Sequence, residues 1–164
     1  MTNVLHHVSD VRAFFRDAGR AVRPGGAIVM IEPWVTTWSS LAYRRLHHES
    51  FLVDAPDWIV DGSGPLGGAN IALPWIVFER DRLEFERAFP EWRIASIEPL
   101  MPIRYLLSGG VSLRSLAPAW SFGAVKAIER ALMRWPDRFA MFAGICLVKT
   151  GAAGVVSATA ARAR

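Results

Sequence analysis

Asn3-Val-Leu-His-His-Val-Ser-Asp10 and Arg23-Pro-Gly-Gly-Ala-Ile-Val-Met-Ile-Glu-Pro-Trp34 are the stretches whose reading decides the fold. Residues 3–5 read as the end of a strand. Ser9 or Asp10 offers a side-chain oxygen to cap a helix start. Val11, Phe14, Phe15, Ala18 and Val22 then recur at i, i+3, i+4, i+7 and i+11, one apolar stripe with Arg12, Arg16 and Asp17 facing water. Pro24 cannot continue a helix, and Gly25-Gly26 accept a tight turn. Residues 27–31 are unbroken apolar, the pattern of a strand covered on both faces, and Glu32-Pro33-Trp34 closes its carboxyl end. Together these make one crossover of a parallel α/β sheet. It begins at residue 3, where strands belonging beside it would normally have come first, so a missing half is expected.

The composition is that of a folded chain. Hydrophobic residues make up 52% and charged residues 21% of 164 residues, which fits one globular domain and not a disordered chain. Seven Trp and nine Phe imply a large core, an apolar ligand cavity or an unsatisfied surface. Nineteen basic against 15 acidic residues give a mild net charge of +4, with no Lys/Arg stripe to track a phosphate backbone, so nucleic acid is not an expected partner. Cys146 is the single cysteine, which rules out an intrachain disulfide and a multi-Cys zinc site. It lies in an apolar run and is expected as a buried thiol. No secretory signal opens the chain and no run of about 18 apolar residues occurs, so the expected compartment is the cytoplasm.

Further along, residues 36–51 have helical character with mixed period. Residues 61–68 are a glycine-dense loop. A helix is predicted over 81–89, with Leu83, Phe85, Ala88 and Phe89 apolar, and Pro90 stops it. A strand is predicted over 92–98, bounded by Pro99. A further helix over 122–134 has Phe122, Val125, Ile128 and Leu132 on one face, and Pro136-Asp137 breaks it. Residues 139–149 read as a last apolar strand, and residues 151–164 as a disordered tail.

Leu5-His6-His7-Val8, then Arg20-Ala-Val-Arg-Pro-Gly-Gly26, then the apolar strand ending in Glu32-Pro33 resembles the middle of a class I S-adenosylmethionine-dependent methyltransferase. The likeness is strongest to the small-molecule branch that includes quinone-biosynthesis enzymes. It covers residues 3–149, with a long apolar and helical insert at 103–137. The fold it implies is the C-terminal half of a Rossmann-like methyltransferase sheet, mixed, with an antiparallel last strand. Residues 1–150 would form that truncated domain. If the family's order holds, the 139–149 strand lies between the 27–31 and 92–98 strands, with only the 3–5 stub beyond 27–31. The family's Gly-x-Gly cofactor loop follows its first strand, and an acidic residue ends its second. The Gly64–Gly68 stretch here stands before no such strand-to-helix switch.

The resemblance implies S-adenosylmethionine as cofactor and places ligands at the carboxyl ends of the strands. Asn3, Leu5 and His6 would line the cofactor side. His7 and Glu32 would serve the acceptor, His6 or His7 as the active-site histidine and Glu32 to orient a hydroxyl or amine. The plainer readings are a helix-capping or space-filling histidine and a solvated or Arg-paired carboxylate. His47-His48-Glu49 has metal-ligand residue types, but helical neighbours point about 100° apart and do not converge, so no metal is expected. Trp34, Trp38, Tyr43 and Trp58 either wall an apolar pocket or pack a core. The insert, with Trp120, Phe122, Trp135, Arg104, Arg114, Arg130 and Arg134, reads as a lid over a lipid-like substrate, an interfacial surface or a plain structural insert.

The expected function is therefore a methyltransferase-family protein acting on a small, apolar or lipid-like metabolite, inactive alone because the cofactor-gripping half is missing. The alternative is a non-catalytic partner-binding or membrane-surface module built on the half-fold. An enzyme completed in trans by another chain is a third reading. An exposed sheet edge makes self-association an expected partner relation.

Overall fold

A computed structural model describes residues 1–60, 68–109 and 117–151. The first helix, α1 (Val11–Ala21), is capped by Asp10, whose carboxylate accepts the Ala13 amide. Its C-terminal end is held from a distance: Lys149 donates its ammonium to the carbonyls of Gly19 and Val22. Gly25 then turns the chain at φ +79°, a conformation that favours glycine. The chain enters β1 (Ala27–Pro33), followed by α2 (Thr37–Leu46), whose Thr36–Ser39 capping box fixes its start.

After the turn Leu73–Trp75 and the π-helical stretch Ile76–Arg80 comes α3 (Arg82–Ala88). Next are β2 (Trp92–Leu100), a short turn Arg104–Leu107, α4 (Phe122–Leu132), a turn Pro136–Phe139 and β3 (Phe142–Lys149).

The architecture is mixed α/β. Three strands form one sheet in the order β1-β3-β2, with β3 antiparallel to both neighbours. Beyond β1 the first residues run alongside it: Thr2 makes a parallel bridge to Ile31, and Asn3 donates its amide to the Ile31 carbonyl at 2.9 Å. The strand order is the one the resemblance implies, but the expected strand end at residues 3–5 is corrected: the parallel contact is made by Thr2 and Asn3, Asn3 lies at φ +53°, and Leu5 already starts a 3-10 turn.

One face of the sheet packs on α1, α3 and the π-helical stretch around Met30, Ile145, Leu147, Phe15, Phe78 and Phe85. On the other face the cover given by the described residues lies at its upper end, where Tyr43, Met141, Phe142 and Tyr105 meet. The expectation that β1 is covered on both faces is therefore corrected: Val29 is 58% exposed, because no described helix lies over that part of the sheet. Cys146 pairs with Val29 across the strands and shares the open face. It is partly buried, not fully buried as expected.

Other boundaries shift for local reasons. β2 runs through Pro99 to Leu100, since β2 is an edge strand where a residue without an N–H is tolerated. β3 begins at Phe142, because Pro136 opens a helical turn that carries the chain as far as Phe139. The helical stretch before Asp81 was not expected; Pro74 sits in its first turn, and its apolar run gives no clear period. On α3, Phe85 is buried but Leu83 is 67% exposed. On α4 the expected apolar face is only half right: Val125 and Leu132 are partly buried, but Phe122 and Ile128 are exposed, and the buried position beside them is Glu129, which accepts the Ile103 and Arg104 amides. The glycine loop at 61–67, Arg114 and the tail from 152 lie outside the described residues.

Candidate functional site

The carboxyl end of β1 and the N-terminal segment meet at Glu32. Its side chain is fully buried and takes three hydrogen bonds. One oxygen accepts the amides of Val4 at 2.9 Å and Leu5 at 3.0 Å; the other accepts His6 Nδ1–H at 3.0 Å. Glu32 is neither solvated nor paired with Arg. The bonds hold residues 5–7 as one 3-10 turn at the end of β1. They also fix the His6 tautomer, leaving Nε2 unprotonated in the neutral ring.

His6 is buried, and its ring lies against that of His7, with centroids 4.2 Å apart. Nε2 of His6 is 3.7 Å from one Glu49 oxygen, and Nε2 of His7 is 3.7 Å from the other. Nδ1 of His7 is enclosed with no hydrogen-bond partner among the described residues.

Glu49 arrives there because α2 stops at Leu46. Residues 47–50 are not helical, so the divergence of helical neighbours does not apply. The Glu49 amide donates to Nδ1 of His47, which turns the carboxylate inward. Burial lowers the His47 pKa, with Glu49 pulling it up and the neighbouring histidines pushing it down. Its Nε2 lies 3.5 Å from the Tyr105 hydroxyl. His48 is exposed and stacks on His47.

Asn70 ties the two segments together. Its amide donates to the His6 carbonyl at 2.9 Å, and its side chain bonds both the amide and the carbonyl of Leu52. Ser50 bridges to Asn70 in parallel fashion. Asn70 is buried among these partners.

Of the expected site residues, the structure brings His6, His7 and Glu32 together. Glu32 bonds His6, and His7 lies beside that pair, turned toward Glu49. Leu5 is fully enclosed in the core, so its side chain lines no ligand surface. Asn3 is exposed at φ +53°, and it acts through its backbone bond to β1. Glu49 and Asn70 are the residues the sequence reading missed. Glu49 was visible in His-His-Glu, but only the end of α2 shows where it points. Asn70 follows the glycine-dense loop and carries no motif of its own.

Trp34 and Trp58 are core residues, Trp58 donating its indole N–H to Asp81 at 2.9 Å. Trp38 donates to the Pro102 carbonyl, and Tyr43 to the Met141 carbonyl. Burial pushes the Tyr43 pKa well up. A cleft of about 340 Å³ opens beside Tyr105, lined by Met101, Pro118, Phe122 and Val125. Tyr105 therefore touches both the histidine cluster and this apolar cleft.

Chemically, a buried carboxylate behind an imidazole makes a proton acceptor of the imidazole's far nitrogen. The adenosine part of S-adenosylmethionine fits these residues poorly. The carboxylate at the strand end is the type that grips ribose hydroxyls, but Glu32 is already occupied by three donors. No family profile, no curated protein and no solved structure matches this chain.

Proposed function

We propose that this chain is the acceptor-side part of a class I S-adenosylmethionine-dependent methyltransferase acting on a small, apolar or lipid-like metabolite. The observation that carries the reading is the reversed strand β3 inserted between β1 and β2, with Thr2 parallel to β1 on the far side. That is the order the Leu-His-His and Arg-Pro-Gly-Gly resemblance implies. Ligands of open α/β sheets gather at the carboxyl ends of such strands, which here carry His6 and Glu32.

The role of the chain's own residues follows. Nε2 of His6 takes the proton of an acceptor hydroxyl as that oxygen becomes the nucleophile. Glu32 holds the ring's orientation and stabilises the imidazolium that results. The cleft beside Tyr105 supplies an apolar wall for the rest of the acceptor. Because Glu32 is occupied, no part of cofactor binding is assigned to these residues, and the chain by itself is not expected to transfer a methyl group.

The experiment is titration of the 164-residue chain with a hydroquinone acceptor, followed by intrinsic tryptophan fluorescence. Saturable binding at micromolar concentration is expected, and His6→Ala is expected to weaken it about tenfold. No saturable binding by the unsubstituted chain, or unchanged binding by His6→Ala, contradicts the reading.

A second reading, a membrane-surface module, draws on the insert. Trp120 is 84% exposed, and Phe122, Ile128 and Trp135 stand out beside Lys126 and Arg130. Among the described residues no helix is long and apolar enough to cross a membrane, so any such contact would be peripheral. Flotation with anionic vesicles tests it: comigration supports the module, and a wholly unbound protein removes it.

A further inference from the structure

We propose that His6, His7 and Glu49 form a binding site for a divalent metal ion of the zinc class, with Glu32 as its positioning residue. One donor atom from each of the three lies within 4.8 Å of the others. Both imidazole-to-carboxylate separations are 3.7 Å. Zinc at about 2.1 Å from each ligand sets tetrahedral donors ~3.4 Å apart, so a small rotation of Glu49 closes the set.

The electronic arrangement points the same way. Glu32 takes the Nδ1 proton of His6, so the Nε2 lone pair of the neutral ring faces a carboxylate oxygen. Two electron-rich atoms turned toward each other at that distance call for a cation between them. A carboxylate behind a ligating histidine is the usual outer-shell partner of zinc, fixing tautomer and orientation. Two imidazoles and one carboxylate suit zinc better than magnesium or calcium, which prefer oxygen ligands.

The cluster also has a way in. His6 is buried, but the His7 and Glu49 side chains are partly exposed, which leaves one side open for a water or an acceptor oxygen. His47 is not a ligand here: its Nδ1 accepts the Glu49 amide and holds the carboxylate in place. His7 is the weaker imidazole ligand, since no partner among the described residues orients its Nδ1.

The inference goes beyond the methyl-transfer reading and needs only these donors. A metal bound at Nε2 would replace His6 as the group that activates an acceptor hydroxyl, by lowering the pKa of that hydroxyl.

Zn(II) is titrated into the full 164-residue chain in competition with a chromophoric chelator, so the readout is metal occupancy and not methyl transfer. One equivalent is expected to bind with micromolar or tighter affinity. Glu49→Gln is expected to weaken it at least about tenfold, and Glu32→Gln about 10- to 100-fold. His7→Ala is expected to weaken it about fivefold or more, and the exposed His48→Ala to stay within about twofold. Glu49 and His7 are partly exposed, so their variants keep the test valid even where Glu32→Gln fails to fold. Less than half an equivalent bound by the unsubstituted chain overturns the site. So does unchanged affinity in both Glu49→Gln and His7→Ala.

Discussion

Glu32 and His6, 26 residues apart in the chain, are joined by a 3.0 Å hydrogen bond inside the protein, and the same carboxylate holds the Val4 and Leu5 amides. One side chain thus fastens the N-terminal segment to the end of β1. Glu32→Ala leaves the Leu5 amide and the His6 imidazole N–H enclosed without an acceptor, and frees the part-buried Val4 amide. A loss of about 3 kcal/mol is expected. Urea unfolding checks it; a change under about 1 kcal/mol would mean that Glu32 does not anchor this segment.

Asn70 does the corresponding work for the other half of the cluster. Asn70→Ala removes both side-chain bonds to Leu52 and one to the Ala72 amide. A destabilisation of about 2 kcal/mol is expected. Faster amide hydrogen exchange at Leu52 and Ala72 is its local signature, and unchanged exchange there would argue against the clasp.

Asp81 sets an acid limit on stability. Its carboxylate accepts from Arg80 and from the Trp58 indole, and its pKa is lowered, first by the hydrogen bond from Arg80. A carboxylate whose folded pKa lies below the unfolded value stabilises the fold fully above the unfolded value. That contribution is lost as pH falls through the depressed folded one. The urea midpoint of the unsubstituted chain should therefore fall below about pH 4, and Asp81→Asn should flatten that fall. Parallel pH profiles for the two proteins would refute the assignment.

How much of this was legible follows from where each signal lies. The helix from Val11, the Gly25 turn and β1 are written in local pattern, so the elements within residues 10–33 read correctly, while the exposure of one β1 face did not. The order of the sheet followed from the resemblance. What stayed hidden depends on distant contacts. Glu129 looks like a solvated residue on α4 until its bonds to the Ile103 and Arg104 amides are seen. Val29 looks like core, since an apolar run does not reveal which face lacks a covering helix. Glu49 joined His6 only through the early end of α2 and the Asn70 clasp.

The open face gives its own expectation. Val29 is exposed and Cys146 partly exposed on a part of the sheet over which no described helix lies, and the first residues beside β1 have an unpaired outer edge among the described residues. Self-association is expected at micromolar concentration, and Val29→Lys should shift it toward monomer, as sedimentation velocity would show. A unsubstituted chain that is monomeric throughout removes this expectation.

The central claim is that these residues form the acceptor side of a methyl-transfer site whose cofactor grip lies elsewhere. Isothermal titration of the 164-residue chain with S-adenosylmethionine and, separately, with a hydroquinone acceptor tests it most directly. A flat isotherm for the first and micromolar binding of the second are predicted. Micromolar binding of S-adenosylmethionine, or flat isotherms for both, would contradict it.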